Sequence, residues 1–278
     1  MLIGKILVLS RRDLKKWSKS RFSLAWVVLR PLPWLLLFGK SLDPSKFLGD
    51  VSGSTQQQTE ASLRGTLSGA PDYFSFMAIG MLSVMVMTLS MLSMGSIVFD
   101  RYTGFLDKVL ASPARRETIL LSKVVASTTR GIIQAIALFL VALALGMQTG
   151  SGFGIFEAIE AFAVLVILGF GMSSIFVSIG ARIKRWEAQE AVATAITFPI
   201  MFTSNALYPL EHMPSWLRPL AILNPITHST SILRQLIYGS QSGPFSTVYP
   251  DILFLGAFTL LSGIVLFVVA NRIRRINE

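Results

Sequence analysis

Cysteine is absent from the 278-residue chain. That removes disulfide staples, thiolate metal ligands and cysteine nucleophiles from the chemistry open to it. Charge is scarce as well: 14% of residues are charged, against about 25% in an ordinary soluble domain, too few to coat a water-facing surface. Histidine occurs only as His212 and His228. With no further ligand beside them, both read as polar residues at a wet interface and no metal is expected. There is no GxxxxGK[ST] phosphate-binding loop, so no nucleotide is expected on this chain by that route. Acids are almost missing from the long apolar blocks, where an ion-driven carrier places its working carboxylates. Glu157 and Glu160 stand at the outer start of one block, where a helix N-terminus favours negative charge. If the protein moves something uphill, its energy enters from another chain.

What is abundant is apolar. The hydrophobic share is 52% and the mean hydropathy is +0.61, which excludes disorder. Six stretches reach the ~20 residues of a spanning helix: 22–39, 73–99, 119–146, 156–181, 188–207 and 252–270. They lack the period-2 alternation of a barrel, and membrane helices tolerate internal prolines such as Pro31, Pro33 and Pro199. The predicted fold is an all-α integral membrane protein, one transmembrane domain of six transmembrane helices. No cleavable leader is expected, because residues 1–21 hold seven basic residues and one acid and no small-residue cleavage site follows. The segment 40–72, with Gln56-Gln57-Gln58, reads as low in structure.

The net charge is +10 and the pI about 10.2. With both termini cytoplasmic, the inner pieces 1–21, 100–123, 182–190 and 271–278 carry 18 Lys/Arg. The outer pieces carry five, Lys40, Lys46, Arg64, Arg218 and Arg234, while Arg30 and Arg130 lie inside spans. Acids divide seven inside and eight outside, as expected of a rule about Lys/Arg alone. The positive charge therefore marks orientation in a cell (cytoplasmic) membrane, not a nucleic-acid partner.

Two features inside the spans admit a bland and a functional reading. The second span holds Met77, Met81, Met85, Met87, Met91 and Met94, with Ser83, Ser90, Ser93 and Ser96 among them. Methionine packs adaptably and serine permits close helix approach, so this is ordinary packing or a pliable wall for apolar substrates. Arg130, one turn before Gln134, either snorkels to the inner headgroups or faces a polar interior. Met81, Met85, Thr88, Arg130 and Gln134 are the candidate pathway residues.

The inner loop after the second span is the most informative stretch: Phe99-Asp100-Arg101-Tyr102-Thr103-Gly104-Phe105-Leu106-Asp107-Lys108-Val109-Leu110-Ala111-Ser112-Pro113. Phe105/Val109 and Leu106/Leu110 are i,i+4 pairs, predicting a short amphipathic helix that Gly104 precedes and Pro113 stops. Such a helix fits a partner's groove or lies on the inner leaflet.

This stretch resembles the inner-loop signature of type-2 ABC permeases. Asp100, Arg101, Gly104, Leu106, Leu110, Ser112 and Pro113 occupy the pattern of the coupling helix. The runs Ile119-Leu120-Leu121-Ser122-Lys123 and Arg130-Gly131-Ile132-Ile133-Gln134 are similar to the daunorubicin-resistance and nodulation-exporter branch, as is Arg30-Pro31-Leu32-Pro33. Phe198-Pro199, Asn205 through Leu210, Met213 through Leu217 and Leu223 through Thr227 resemble that branch's re-entrant outer segment between spans five and six, here 208–250. The resemblance implies a permease subunit with no catalytic residues and no cofactor of its own. ATP and Mg would sit on a partner ATPase chain, and a C2 homodimer of this chain would form the transport unit. Phe105, Leu106, Val109 and Leu110 would make the ATPase contact, with Arg101 and Lys108 as rim charges. The N-terminus, with Ile3, Ile6, Leu7, Leu14 and Trp17 among Lys15, Lys16 and Lys19, would lie along the inner leaflet. The implied cargo is hydrophobic or amphipathic, a drug or lipid; a lipid-linked glycan or polysaccharide is the alternative, and a lipid-modifying membrane enzyme the competing class.

Overall fold

In the computed structural model the described residues are 2–20, 29, 32–33, 35–37, 67–111, 115–239 and 248–275, and among them every regular element is helical. The helices are α1 (Leu2–Lys19), α2 (Tyr73–Tyr102), α3 (Phe105–Leu110), α4 (Arg116–Ala144), α5 (Ile155–Gly180), α6 (Trp186–Phe202), α7 (Arg218–Ile222), α8 (Pro225–Tyr238) and α9 (Tyr249–Arg275). Four of them, α2, α4, α5 and α9, are long and apolar enough to cross a membrane. The expected first span, 22–39 with Arg30 and Pro31, lies almost wholly outside the described residues. So do the segment 40–66 and the coupling-loop residues Ser112 and Pro113.

The centre of the bundle is α2. It packs against α4, α5, α6 and α8, and nearly its whole length is buried. Apolar area does not drive helices together in lipid, so close packing must. A Cβ added at Gly80 would stand 2.2 Å from the Ala206 carbonyl oxygen, so only glycine admits the 203–207 turn this close. Deeper in, the Ser83 and Ser229 hydroxyls meet at 3.0 Å. Met77, Met87 and Met94 are sealed into the core. By contrast α9 leaves Leu253, Leu260, Leu261 and Phe267 exposed. A helix apolar on every side with bare leucines is one that faces lipid.

Helix ends depart from the sequence reading at two places. The second helix runs to Tyr102 instead of stopping at 99, so Asp100 and Arg101 belong to its last turn. The fifth apolar block stops being helical at Phe202, five residues short of Leu207, leaving α6 with 17 residues. Ser204 donates to the Met201 carbonyl at 2.7 Å, a local bond that competes with helix continuation, and Asn205 donates to Ser231 of α8 at 3.1 Å.

Beyond α6, a turn at Leu210–His212 and the short α7 lead to α8, which is buried along nearly its whole length. Asn224 caps α8, accepting from the Ile226 N–H at 2.9 Å, and Pro225 occupies the position where a missing N–H costs nothing. Arg234, one of the five basic residues expected in the outer pieces, is 1% exposed. It donates to the carbonyls of Asn205 at 3.0 Å and Phe76 at 3.1 Å and lies 3.5 Å over the Phe76 ring. The guanidinium fork thus supplies donors to the turn beyond α6, at Asn205 and Ala206, and to the first turn of α2, at Phe76. His228 also departs from the wet-interface reading: it is 8% exposed, with Nδ1 2.5 Å from Asp251 and Nε2 2.7 Å from the Ile222 carbonyl. His212 is exposed as expected.

Candidate coupling site and transport cleft

The hairpin that follows α2 turns at Gly104, whose φ of +68° is left-handed and favours glycine. Six residues of α3 follow. Their apolar side is turned towards α1 and α4: Phe105, Leu106 and Val109 line one small pocket with Leu9 and Ile119. Tyr102, Thr103, Lys108 and Ala111 are exposed. Phe105 and Val109 share a face as the i,i+4 spacing predicts, and Leu9 and Arg12 of α1 lie against part of that face. The side chains of Asp107 and Leu110 lie outside the described residues, so the share of Leu110 in that face is not described.

Beneath the hairpin sits a buried charge cluster that sequence reasoning missed. Lys123 of α4 donates to Asp13 of α1 at 2.7 Å, to Ser96 of α2 at 2.9 Å and to Asp100 of α2. Arg12 bridges the same two carboxylates, at 2.7 Å to Asp13 and 3.0 Å to Asp100, and its guanidinium lies 3.7 Å over the Phe105 ring. Lys123, Asp13 and Asp100 are all less than a tenth exposed. Two cations and two anions balance, which is the condition for burying charge at all. Burial alone would push the Asp13 carboxyl up, but Lys123 and Arg12 together hold it below its ordinary value of 3.8. The signals were present and unconnected: Asp13 is the one acid in a strongly basic segment, and Lys123 stands just inside an apolar block.

Arg101, expected as a rim charge, is half-buried. Its guanidinium donates to the Ala181 carbonyl at 2.7 Å and to the Ile183 carbonyl, tying the C-terminal end of α2 to the turn between α5 and α6. Lys108 remains exposed on α3.

A second feature lies between α2 and α6, a cleft of about 190 Å³. Met81, Met85, Thr88 and Met91 form the α2 wall. The α6 wall includes Glu190, Thr194, Thr197 and Met201. Three of the five residues singled out as pathway candidates, Met81, Met85 and Thr88, thus converge. Gln134 is not among the residues lining the cleft; it is buried on α4 behind Met85, donating to its sulfur at 3.5 Å. Arg130 does not line it either. Its Nε donates to the Ala126 carbonyl at 3.2 Å. All six α2 methionines belong to the buried core, and three of them, Met81, Met85 and Met91, also line the cleft. Among the described residues no group of three or more His, Asp or Glu could hold a metal ion.

Comparison with known proteins agrees with the motifs. A family model described as ABC-2 type transporter matches residues 4–238. The ycf38 protein of Cyanophora paradoxa is 27% identical over 248 residues, 88% of this chain and 78% of its own length. The daunorubicin resistance ABC transporter permease protein DrrB1 of Streptomyces coeruleorubidus is 25% identical over 77% of this chain and 68% of its own. Nodulation protein J of Rhizobium leguminosarum bv. trifolii is 23% identical over 82% and 79% respectively.

Proposed function

The chain belongs to the ABC-2 type transporter family, whose pattern covers residues 4–238, and on that premise we propose that it is the permease of an exporter driven by a separate ATPase chain. The observation that carries this reading is the continuity of α2. One 30-residue helix, about 45 Å long at 1.5 Å per residue, forms a wall of the cleft and ends in the hairpin. Arg101 and the Lys123 cluster fix that end to α5, α4 and α1, so a push on the hairpin moves the cleft wall instead of bending a loop.

In this reading the chain crosses the membrane six times with both termini inside. Its α1 lies on α4 and turns exposed Ile3, Leu7 and Val8 to the inner leaflet. The partner ATPase binds ATP and Mg, and its closure biases the membrane part between inward- and outward-open states. Tyr102, Lys108 and the rim of α3 meet the partner. A cleft of 190 Å³ is below the 300–1,000 Å³ typical of drug-sized ligands. A second copy related by a two-fold axis completes it, and the cargo is a hydrophobic or amphipathic molecule such as a drug or lipid.

The test is a purified complex of the chain with its ATPase in lipid nanodiscs. A panel of amphipathic compounds should stimulate ATP hydrolysis, and Leu106→Asp, which sets an acid beside Asp13 and Asp100, should abolish the stimulation. A Leu106→Asp complex that assembles and responds like the native one would refute the coupling assignment.

A further inference from the structure

The cleft carries one charge on its described walls, the carboxylate of Glu190. Among the described residues Glu190 has no ion-pair or hydrogen-bond partner, and its exposed side chain stands on α6 among residues that otherwise offer thioethers, hydroxyls, a valine and a phenyl ring. The position is not explained by the helix terminus. Negative charge is favoured there only within the first turn, and Glu187 already occupies that turn, one turn before Glu190. Nor do the neighbouring bases of the 182–185 turn neutralise it, since none of them pairs with it.

From Glu190 to Met201 the cleft follows α6 for eleven residues, about 16 Å. Past the carboxylate the facing wall is Met91, then Thr88, Met85 and Met81, a soft and polarisable surface that adapts to shape without demanding one. An anion entering here is repelled, and a neutral ligand strips water from the carboxylate without replacing it. A cation replaces that water with an ion pair. We propose that the cleft selects amphiphiles bearing a cationic group, which rests against Glu190 while the apolar body lies along Met91, Met85 and Met81. The proposal rests on the cleft being the transport route and adds the charge of the cargo to it.

The experiment uses the complex with its ATPase in phosphatidylcholine nanodiscs, whose zwitterionic surface does not itself sort charge. The probes are tetraphenylphosphonium and tetraphenylborate, alike in shape and opposite in charge, with triphenylphosphine oxide as the neutral control. Stimulation of ATP hydrolysis should reach its midpoint at a lower concentration with the phosphonium than with the borate. Glu190→Gln should raise the phosphonium midpoint by roughly 1.5- to fivefold, the range of an exposed ion pair, and should not raise that of the neutral probe. Glu190→Lys should reverse the order of the two ions. An unchanged phosphonium midpoint in Glu190→Gln overturns the proposal, as does a native complex that ignores the phosphonium. Thr194→Trp separates this failure from the larger one. If it blocks every probe while Glu190→Gln changes nothing, the cleft stands and the charge selection falls. If it blocks none, the cleft is not the route and both readings fall.

Discussion

Replacing Lys123 by methionine keeps the length of the side chain and removes its charge, leaving Asp13 and Asp100 to share Arg12. At 2.7 Å the Lys123–Asp13 attraction is about 6 kcal/mol at an effective dielectric of 20. The desolvation of the ions cancels most of that, so the intact cluster adds little net stability. Breaking it is a different matter, because a carboxylate is then buried without its partner, at a cost of about 3–5 kcal/mol. The weakest joint in the surroundings is α1, which is held to α4 through this cluster, so Lys123→Met should release α1 before it unfolds the bundle. The absence of native cysteine permits a direct assay: spin labels on Lys15→Cys of α1 and Lys108→Cys of α3, both exposed, report the distance between the two helices. Lys123→Met should broaden that distance distribution and lower the thermal midpoint. Adding Asp13→Asn restores one cation to one anion, Arg12 to Asp100, and should recover most of both. A Lys123→Met protein with native distances and midpoint would refute the reasoning, and so would a double variant no better than the single.

Gly104→Val places a β-branched residue at φ +68°, a strain of about 1–2 kcal/mol. The hairpin should shift and substrate-stimulated ATP hydrolysis should fall while the chain still folds, read as the ratio of stimulated to basal rate. Thr194→Trp fills the 190 Å³ cleft from a side chain exposed on α6, so transport should be lost with the thermal midpoint unchanged. The pH response of α1 has a fixed sign. The Asp13 carboxyl is held below 3.8 in the fold, so its contribution is complete above about pH 4 and is lost only as pH falls through the lowered value. The label distance should stay constant from pH 7 to about pH 4; undocking already at pH 5 would contradict this.

Much of the architecture was legible because bilayers impose simple rules. Long apolar blocks announced α2, α4, α5 and α9, and Gly104 with the pairs Phe105/Val109 and Leu106/Leu110 announced the hairpin. The interactions that fix the hairpin were not legible, since they join residues remote in sequence. Lys123 and Asp13 are 110 positions apart, and no local pattern links Arg101 to the carbonyls of Ala181 and Ile183. The end of α6 was hidden for another reason: the apolar run continues through Ala206 and Leu207, and hydropathy does not register that Ser204 bonds back to Met201 or that Asn205 reaches across to Ser231. Arg234 was hidden with it, since its acceptors Asn205 and Ala206 lie in the turn that begins where α6 stops, while Phe76 lies on α2, 158 positions away. Within the cleft, the spacing of Met81, Met85 and Thr88 along one helix marked a wall. Glu190 escaped notice because it stands at an inner boundary, where a charge needs no explanation until the opposite wall is known.

The central claim is that this chain has no fuel site and is worked by a separate ATPase. Its most direct test is uptake of a labelled amphiphile into vesicles holding the chain alone or the chain with its ATPase. ATP-dependent accumulation against the gradient should occur only when both chains are present. Accumulation by the chain alone, with or without an ion gradient, would contradict it.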